Sequence, residues 1–214
     1  MKLYFVRHGK TEWNLEGRFQ GASGDSPLLP SSIEHLQLLG EQLADVPFDK
    51  IYSSDLPRAY KTAQIIAQCN FHQKEIEQVE DLREWNLGKL EGAKIATIQA
   101  IYPHQIAAFR NNLAKFDPDI FGAESVYQTT HRIQKFVANL KGKGYEHVLI
   151  VGHGANLTAS IRTLLGYEVP LLRKKGGLVN GSLTILETED CEHFELITWN
   201  DVAYADNLAL AETD

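Results

Sequence analysis

Residues 3–14 of the chain read LYFVRHGKTEWN. Leu3, Tyr4, Phe5 and Val6 run without alternation into Arg7 and His8. An unbroken apolar run reads as a strand covered on both faces, because neither set of alternate side chains has to meet water. The polar pair then stands at the carboxyl end of that strand. Residues 147–158, HVLIVGHGANLT, repeat the arrangement, with an apolar run over 148–151 that stops at Gly152 and His153. Two strands from opposite halves of the chain, both ending at His-Gly, predict one site that holds two imidazoles.

Outward from these strands the chain alternates. Leu36, Leu39 and Leu43 at three- and four-residue spacing predict a helix over 33–44. A short strand follows at 49–54, then a helix to about 67, with Ser54 or Asp55 as its N-cap and Pro57 in its first turn. Residues 78–82 are a weaker strand candidate. Residues 93–115 read as helical with a break at Pro103, 117–122 as a loop, and 124–140 and 156–165 as helices. Residues 182–187 and 194–199 read as an antiparallel pair. Residues 11–32 carry Gly17, Gly21, Gly24, Pro27 and Pro30 and read as a long loop. The expected class is therefore α/β, a three-layer, mostly parallel sheet with helices on both faces. With no repeat or linker in the chain, the expectation is a single domain over 1–214, with a small helical insertion at about 93–122 lying over the sheet.

Composition narrows the function. The chain has 214 residues and a net charge of −7, which disfavours nucleic acid or an acidic membrane as a partner through bulk electrostatics. Cys69 and Cys191 form no disulfide framework and no metal-ligand spacing, and His35, His72, His104, His131, His147 and His193 add none, so no metal is expected and these histidines read as surface or helix residues. Lys2 and the apolar run after it resemble the start of a signal peptide, but Arg7 breaks the run too early. No stretch approaches the roughly 18 apolar residues of a membrane span. A cytoplasmic protein is the expectation, and the oligomeric state is left open.

In open α/β sheets, ligands bind at the carboxyl ends of the strands. Arg7-His8, His153 and, through Ser53-Ser54, Arg58 all fall there. The helix start near Pro57 would add free N–H groups and a positive dipole end. Two guanidinium groups and two imidazoles around one point suit a phosphate dianion, since arginine binds phosphate oxygens in pairs and stays charged.

These residues resemble a known family. RHGKTEWN, residues 7–14, matches the R-H-G-x-T-x-x-N signature of the histidine phosphatase superfamily, in its phosphoglycerate-mutase-like branch. The resemblance continues in order through GRFQG, GDSPL, SSDLPRAYKTA, LREWNLGKLEG, GAES and VGHG, and so covers residues 3–156. It implies the phosphoglycerate-mutase-like form of the fold, no cofactor, and a small phosphorylated substrate or inorganic phosphate as partner. It implies His8 as the nucleophile that forms a phosphohistidine, with its second ring nitrogen donating to a nearby carbonyl. Arg7 and Arg58 become the phosphate clamp, and His153 the second imidazole, donating to the transferred group. Glu84 becomes the proton donor, aided by burial beside Trp85. Asn14 and Gln20 would reach phosphate or substrate oxygens from the loop, and Gly21 would let backbone approach the ligand. The lysines of Lys174-Lys175-Gly176-Gly177 read as part of a solvated loop.

The family includes phosphatases and mutases. A mutase holds a doubly phosphorylated intermediate and so needs a second cluster of cations. Where the mutase block carries arginine and tyrosine this chain has Trp85 and Leu87, and Ala93 follows Gly92. Between 93 and 123 the strong cations are Lys94, Arg110 and Lys115, with no arginine pair. The reading favoured is a metal-independent phosphomonoesterase. Its alternatives are a cofactor-dependent phosphoglycerate mutase and a non-catalytic phosphate-binding module. Ile95, Ile98, Ile101, Tyr102 and Phe109 read as core rather than as a substrate wall. Residues 25–32, DSPLLPSS, depart from the family's D-x-P-L-T-x-x-G, which predicts an altered helix entry.

Overall fold

The computed structural model describes residues 1–205 of the chain. Among them, six strands form one sheet in the order β3-β2-β4-β1-β5-β6. The strands are β1 Lys2–Arg7, β2 Lys50–Ser53, β3 Ile76–Gln78, β4 His147–Gly152, β5 Leu183–Glu187 and β6 Glu195–Asp201. β1 to β4 run parallel, and β5 and β6 are the expected antiparallel pair at one edge.

Parity explains the two apolar runs. Leu3 and Phe5 of β1, with Val148 and Ile150 of β4, face one layer of core, packed on α6 (Val126–Ala138) and α7 (Gly154–Leu164) through Ile133, Val137, Leu157 and Ile161. Tyr4, Val6, Leu149 and Val151 face the other, under α2 (Pro30–Gln42) and α3 (Pro57–Cys69) through Leu39, Ala63 and Ile66 and the α2 C-cap Leu43. Both sets are buried, so alternation vanishes from the sequence. A third cluster, centred on Trp85, Phe109, Phe116 and Phe121, belongs to the predicted insertion. There α4 (Ile95–Ile101) and α5 (Pro103–Asn111) meet at Pro103, which opens the second helix.

Three local readings are corrected. The loop read over 11–32 contains a one-turn helix, α1 (Glu12–Leu15). The Thr11 hydroxyl accepts from the Asn14 amide, and the Asn14 side chain accepts from the Thr11 amide. This is a capping box with asparagine in the place of the usual glutamate, a weak signal among glycines. The N-cap of α3 is Leu56, whose side chain makes no capping bond, while the Asp55 carboxylate is drawn off by Arg83. The strand read at 78–82 lies at Ile76–Gln78 and is followed by a 3-10 turn at Glu80–Leu82. Two of its three residues are exposed, so it carries little apolar signal. The altered 25–32 block opens α2 with Leu29 as N-cap and Pro30 in the first turn. No helix among the described residues is long and apolar enough to cross a membrane.

Candidate active site

β2, β4 and β1 are parallel neighbours, so their carboxyl ends share one edge of the sheet. His8 continues β1 and donates its amide to the Gly152 carbonyl at 2.9 Å, and Ser54 continues β2 and donates to Val151 at 2.9 Å. This register carries His8 and His153 to ring centroids 5.2 Å apart. Both side chains are buried.

The hydrogen bonds assign the tautomers. His8 Nδ1 lies 2.7 Å from the Gly9 carbonyl, which can only accept. Nδ1 therefore holds the proton, and the lone pair is on Nε2. His153 Nε2 lies 2.8 Å from the Ser54 hydroxyl, whose proton has no other acceptor among the described residues. Ser54 then donates to Nε2 and leaves the proton on His153 Nδ1, a buried atom with no partner among the described residues. One ring offers a nucleophile and the other a donor.

Burial first, and then Arg58, hold both imidazoles well below the ordinary value of 6.5; Arg7 adds to the effect on each. In the unfolded chain each ring titrates near 6.5. Below that pH the unfolded chain takes up protons that the folded one refuses. Each ring thus contributes stability that is complete above pH 6.5 and is lost as pH falls toward the depressed folded value. The expected slope is about 1 kcal/mol per pH unit for each ring in that window. Urea midpoints between pH 7.5 and 5.5 check it. His153→Gln should flatten the fall, and an unchanged slope would contradict the assignment. The acid limb of kcat/KM should likewise lie below pH 6.5, since His8 stays neutral there.

The two expected guanidinium groups flank the rings. Arg7 donates from Nη1 to the Leu178 carbonyl, and burial lowers its pKa to about 10. Gly154 is needed beside it, because a Cβ there would stand 2.7 Å from Arg7 Nε. Arg58 is buried and tied to the loop of residues 21–25, with Nη2 on the Gly21 carbonyl at 2.8 Å and Nη1 on Asp25 at 2.9 Å. The Nε atoms of Arg7 and Arg58 are both buried and without partners among the described residues. The start of α3 does not present itself to an anion as expected. The Asp25 carboxylate takes the Arg58 amide at 3.4 Å as well as its guanidinium. Asp25 is thus the anion that lets an arginine sit in a first helical turn.

Glu84 enters from the segment after β3. Its carboxylate accepts from the amides of Trp85 (2.8 Å), Ala155 (3.0 Å) and Asn156 (2.8 Å). It therefore caps α7 while facing the cavity. Trp85 meets that carboxylate through its backbone amide. The indole packs on Phe109 and Phe116 and donates to the Glu124 carbonyl. Arg132, which no motif or spacing singles out, reaches from α6 to the carbonyls of Asp81, Arg83 and Glu84 and is held by Glu124. Arg132→Ala should cost about 2 kcal/mol of stability, from carbonyls left without a charged donor. It should also lower kcat more than it raises KM. A purely structural residue would leave kcat per folded molecule unchanged.

A cavity of about 330 Å³ is lined by Arg7, His8, Arg58 and Glu84, with His153 buried behind His8 rather than in the lining. Asn14 lines it, with Oδ1 occupied by Thr11 and Asn180 and its Nδ2 unbonded among the described residues. Gln20 lines it too, held by one N–H donated to the Thr11 hydroxyl and by its oxygen accepting from Ser26. Gly21 has φ +63°, and a Cβ there would collide with the Glu91 carboxylate. That carboxylate staples the loop through the amides of Ala22, Ser23 and Leu87. The glycine therefore serves loop packing, and its carbonyl serves Arg58. Of the five insertion residues read as core, Ile95 and Phe109 line the cavity, while Ile101 and Tyr102 are exposed. Arg18, Arg110 and Arg173 also line it. Arg173 was missed because it sits beside two lysines in what reads as a solvated loop, and nothing local marks it as pointing inward.

The sequence matches the family model described as "Histidine phosphatase superfamily (branch 1)" over residues 3–202. It is 31% identical over 217 residues to phosphoglycerate mutase-like protein 4 of Arabidopsis thaliana, covering 99% of this chain and 90% of that protein. The fold superposes on a mycobacterial glucosyl-3-phosphoglycerate phosphatase complexed with VO3 at a TM-score of 0.83 and 29% identity, covering 93% and 98% of the two chains. It superposes on a phosphoglycerate mutase from Bacillus anthracis at 0.80 and 27%, covering 96% and 95%.

Proposed function

Since the chain belongs to the histidine phosphatase superfamily, branch 1, we propose that it hydrolyses small phosphomonoesters through a phosphohistidine on His8. The observation that carries this reading is the pair of complementary tautomers: a bare Nε2 on His8, set 5.2 Å ring to ring from an unpartnered donor on His153. In the first step the Nε2 lone pair attacks phosphorus and the ester P–O bond breaks. The departing oxygen takes a proton from the Glu84 carboxyl. In the second, Glu84 takes a proton from water, and the water oxygen attacks phosphorus. The P–N bond breaks, its electron pair returns to His8, and phosphate leaves. Arg7 Nε, Arg58 Nε and His153 Nδ1 stabilise the charge that shifts on the phosphoryl oxygens, and Asn14 Nδ2 adds a fourth donor.

The cavity volume, at the lower end for ligand pockets, suits a metabolite rather than a folded phosphoprotein. An aryl phosphate assay tests the reading. Hydrolysis is expected to survive excess chelator. Turnover lost on chelation would sink the metal-independent mechanism. The mutase reading has one observation in its favour: the cations sought between 93 and 123 are supplemented from elsewhere, with Arg173 joining Arg110 at the cavity. Phosphoglycerate isomerisation dependent on added bisphosphoglycerate would decide for it.

A further inference from the structure

On the insertion side of the cavity, Arg173 leans on the Phe109 ring, with its guanidinium carbon 4.5 Å from the ring centroid, and donates from Nη1 to the Phe109 carbonyl at 2.9 Å. Its Nε is buried and without a partner, and Nη2 makes no bond among the described residues. The free edge is thus the Nε–Nη2 side, the flat fork that pairs with a planar carboxylate through two parallel bonds. Arg110, next to Phe109 in the chain, lines the same wall.

The charge balance of the cavity is lopsided. Five arginines and one carboxylate, Glu84, line it. Arg58 is paired with Asp25 and Arg18 with Glu16, but Arg7, Arg110 and Arg173 make no ion pair among the described residues. Burial lowers the Arg173 pKa to about 10, which leaves it charged at neutral pH. Arg110 is exposed, but a charge taken out of water without a partner is costly, so the buried, unpartnered Nε groups of Arg7 and Arg173 in a cavity of an otherwise acidic protein point to an anionic ligand. One phosphoryl group answers Arg7, Arg58 and the histidines. It does not account for the fork at Arg173.

We infer that Arg173, supported by Arg110, is a second anion subsite that binds a carboxylate on the non-phosphorylated part of the substrate. The preferred substrate class is then a short phosphomonoester that also carries a carboxylate. This rests on the reading of the cavity as a phosphomonoester site.

The test uses equilibrium binding to the full chain and so does not depend on turnover. Butylphosphonate and 4-phosphonobutyrate are non-hydrolysable and differ only in a terminal methyl against a carboxylate. Calorimetry on the wild type should show 4-phosphonobutyrate binding about 10- to 100-fold more tightly, the range for a desolvated charge-assisted pair. Arg173→Met should bring the two affinities to within about twofold. Arg173→Lys, which keeps the charge and loses the fork, should fall between them and guards against a folding defect in the methionine variant. Equal affinities in the wild type would overturn the subsite. So would a preference that survives in Arg173→Met. A loss of affinity that is the same for both ligands would place Arg173 on the phosphoryl group instead. Failure of both phosphonates to bind would count against the phosphate site itself, a result separate from any failure of discrimination.

Discussion

Replacing His8 with alanine is expected to reduce phosphomonoester hydrolysis by roughly 10⁴-fold or more, as removal of a covalent nucleophile does elsewhere. It should also abolish incorporation of label from a ³²P-phosphomonoester into the denatured protein. In the wild type that label should be acid-labile and alkali-stable, as a P–N bond is. The expectation is specific to this nitrogen. His8 Nδ1 is committed to the Gly9 carbonyl, so only Nε2 can attack. His153 cannot take over, because its Nε2 is engaged by Ser54 and its Nδ1 holds the proton. The fold should tolerate the change, since the strand-end amide bond from His8 to Gly152 belongs to the backbone. Label that persists in His8→Ala would move the nucleophile elsewhere and remove the basis of the proposed mechanism.

The second large effect is expected from Glu84→Gln, and it depends on the leaving group. Alkyl phosphates expel a strongly basic oxygen and need the proton, so their hydrolysis should fall by about 10³-fold, within the usual range for general acid catalysis. Aryl phosphates barely need the proton for departure, and their loss should be much smaller. The contrast matters because Glu84 does two jobs. Its carboxylate accepts from Ala155 and Asn156 at the start of α7, and glutamine would turn a donor toward those donors or leave one unanswered. Damage to α7 would depress both substrates alike. A common factor on the two would therefore strip Glu84 of the acid role and leave it as a helix cap.

How the fold was legible follows from the same residues. The two apolar runs at β1 and β4 could be read because a strand buried on both faces leaves no polar positions. The histidines could be read because they end those runs. β3 was placed late because an edge strand with exposed side chains looks like a loop. The α1 turn was hidden because its capping box uses asparagine among glycines. The site divides in the same way. Arg7, His8 and His153 are fixed to strand ends and were identifiable from position. Gln20 and Gly21 line the cavity from the loop, where Thr11, Ser26 and Arg58 hold them in place.

The burial pattern of β1 and β4 is readable from their residues alone, and parallel pairing then brings their two histidines to one sheet edge. What surrounds the histidines is set by long-range packing. It placed Asp25 on the start of α3, Arg132 behind the Glu84 segment, and Arg173 with its fork turned into the cavity beside Arg110. The physical reason is that a side chain's partner is chosen by packing between segments far apart in the chain. Arg173 finds its aromatic support 64 residues away at Phe109, and no periodicity or motif in either segment encodes that meeting.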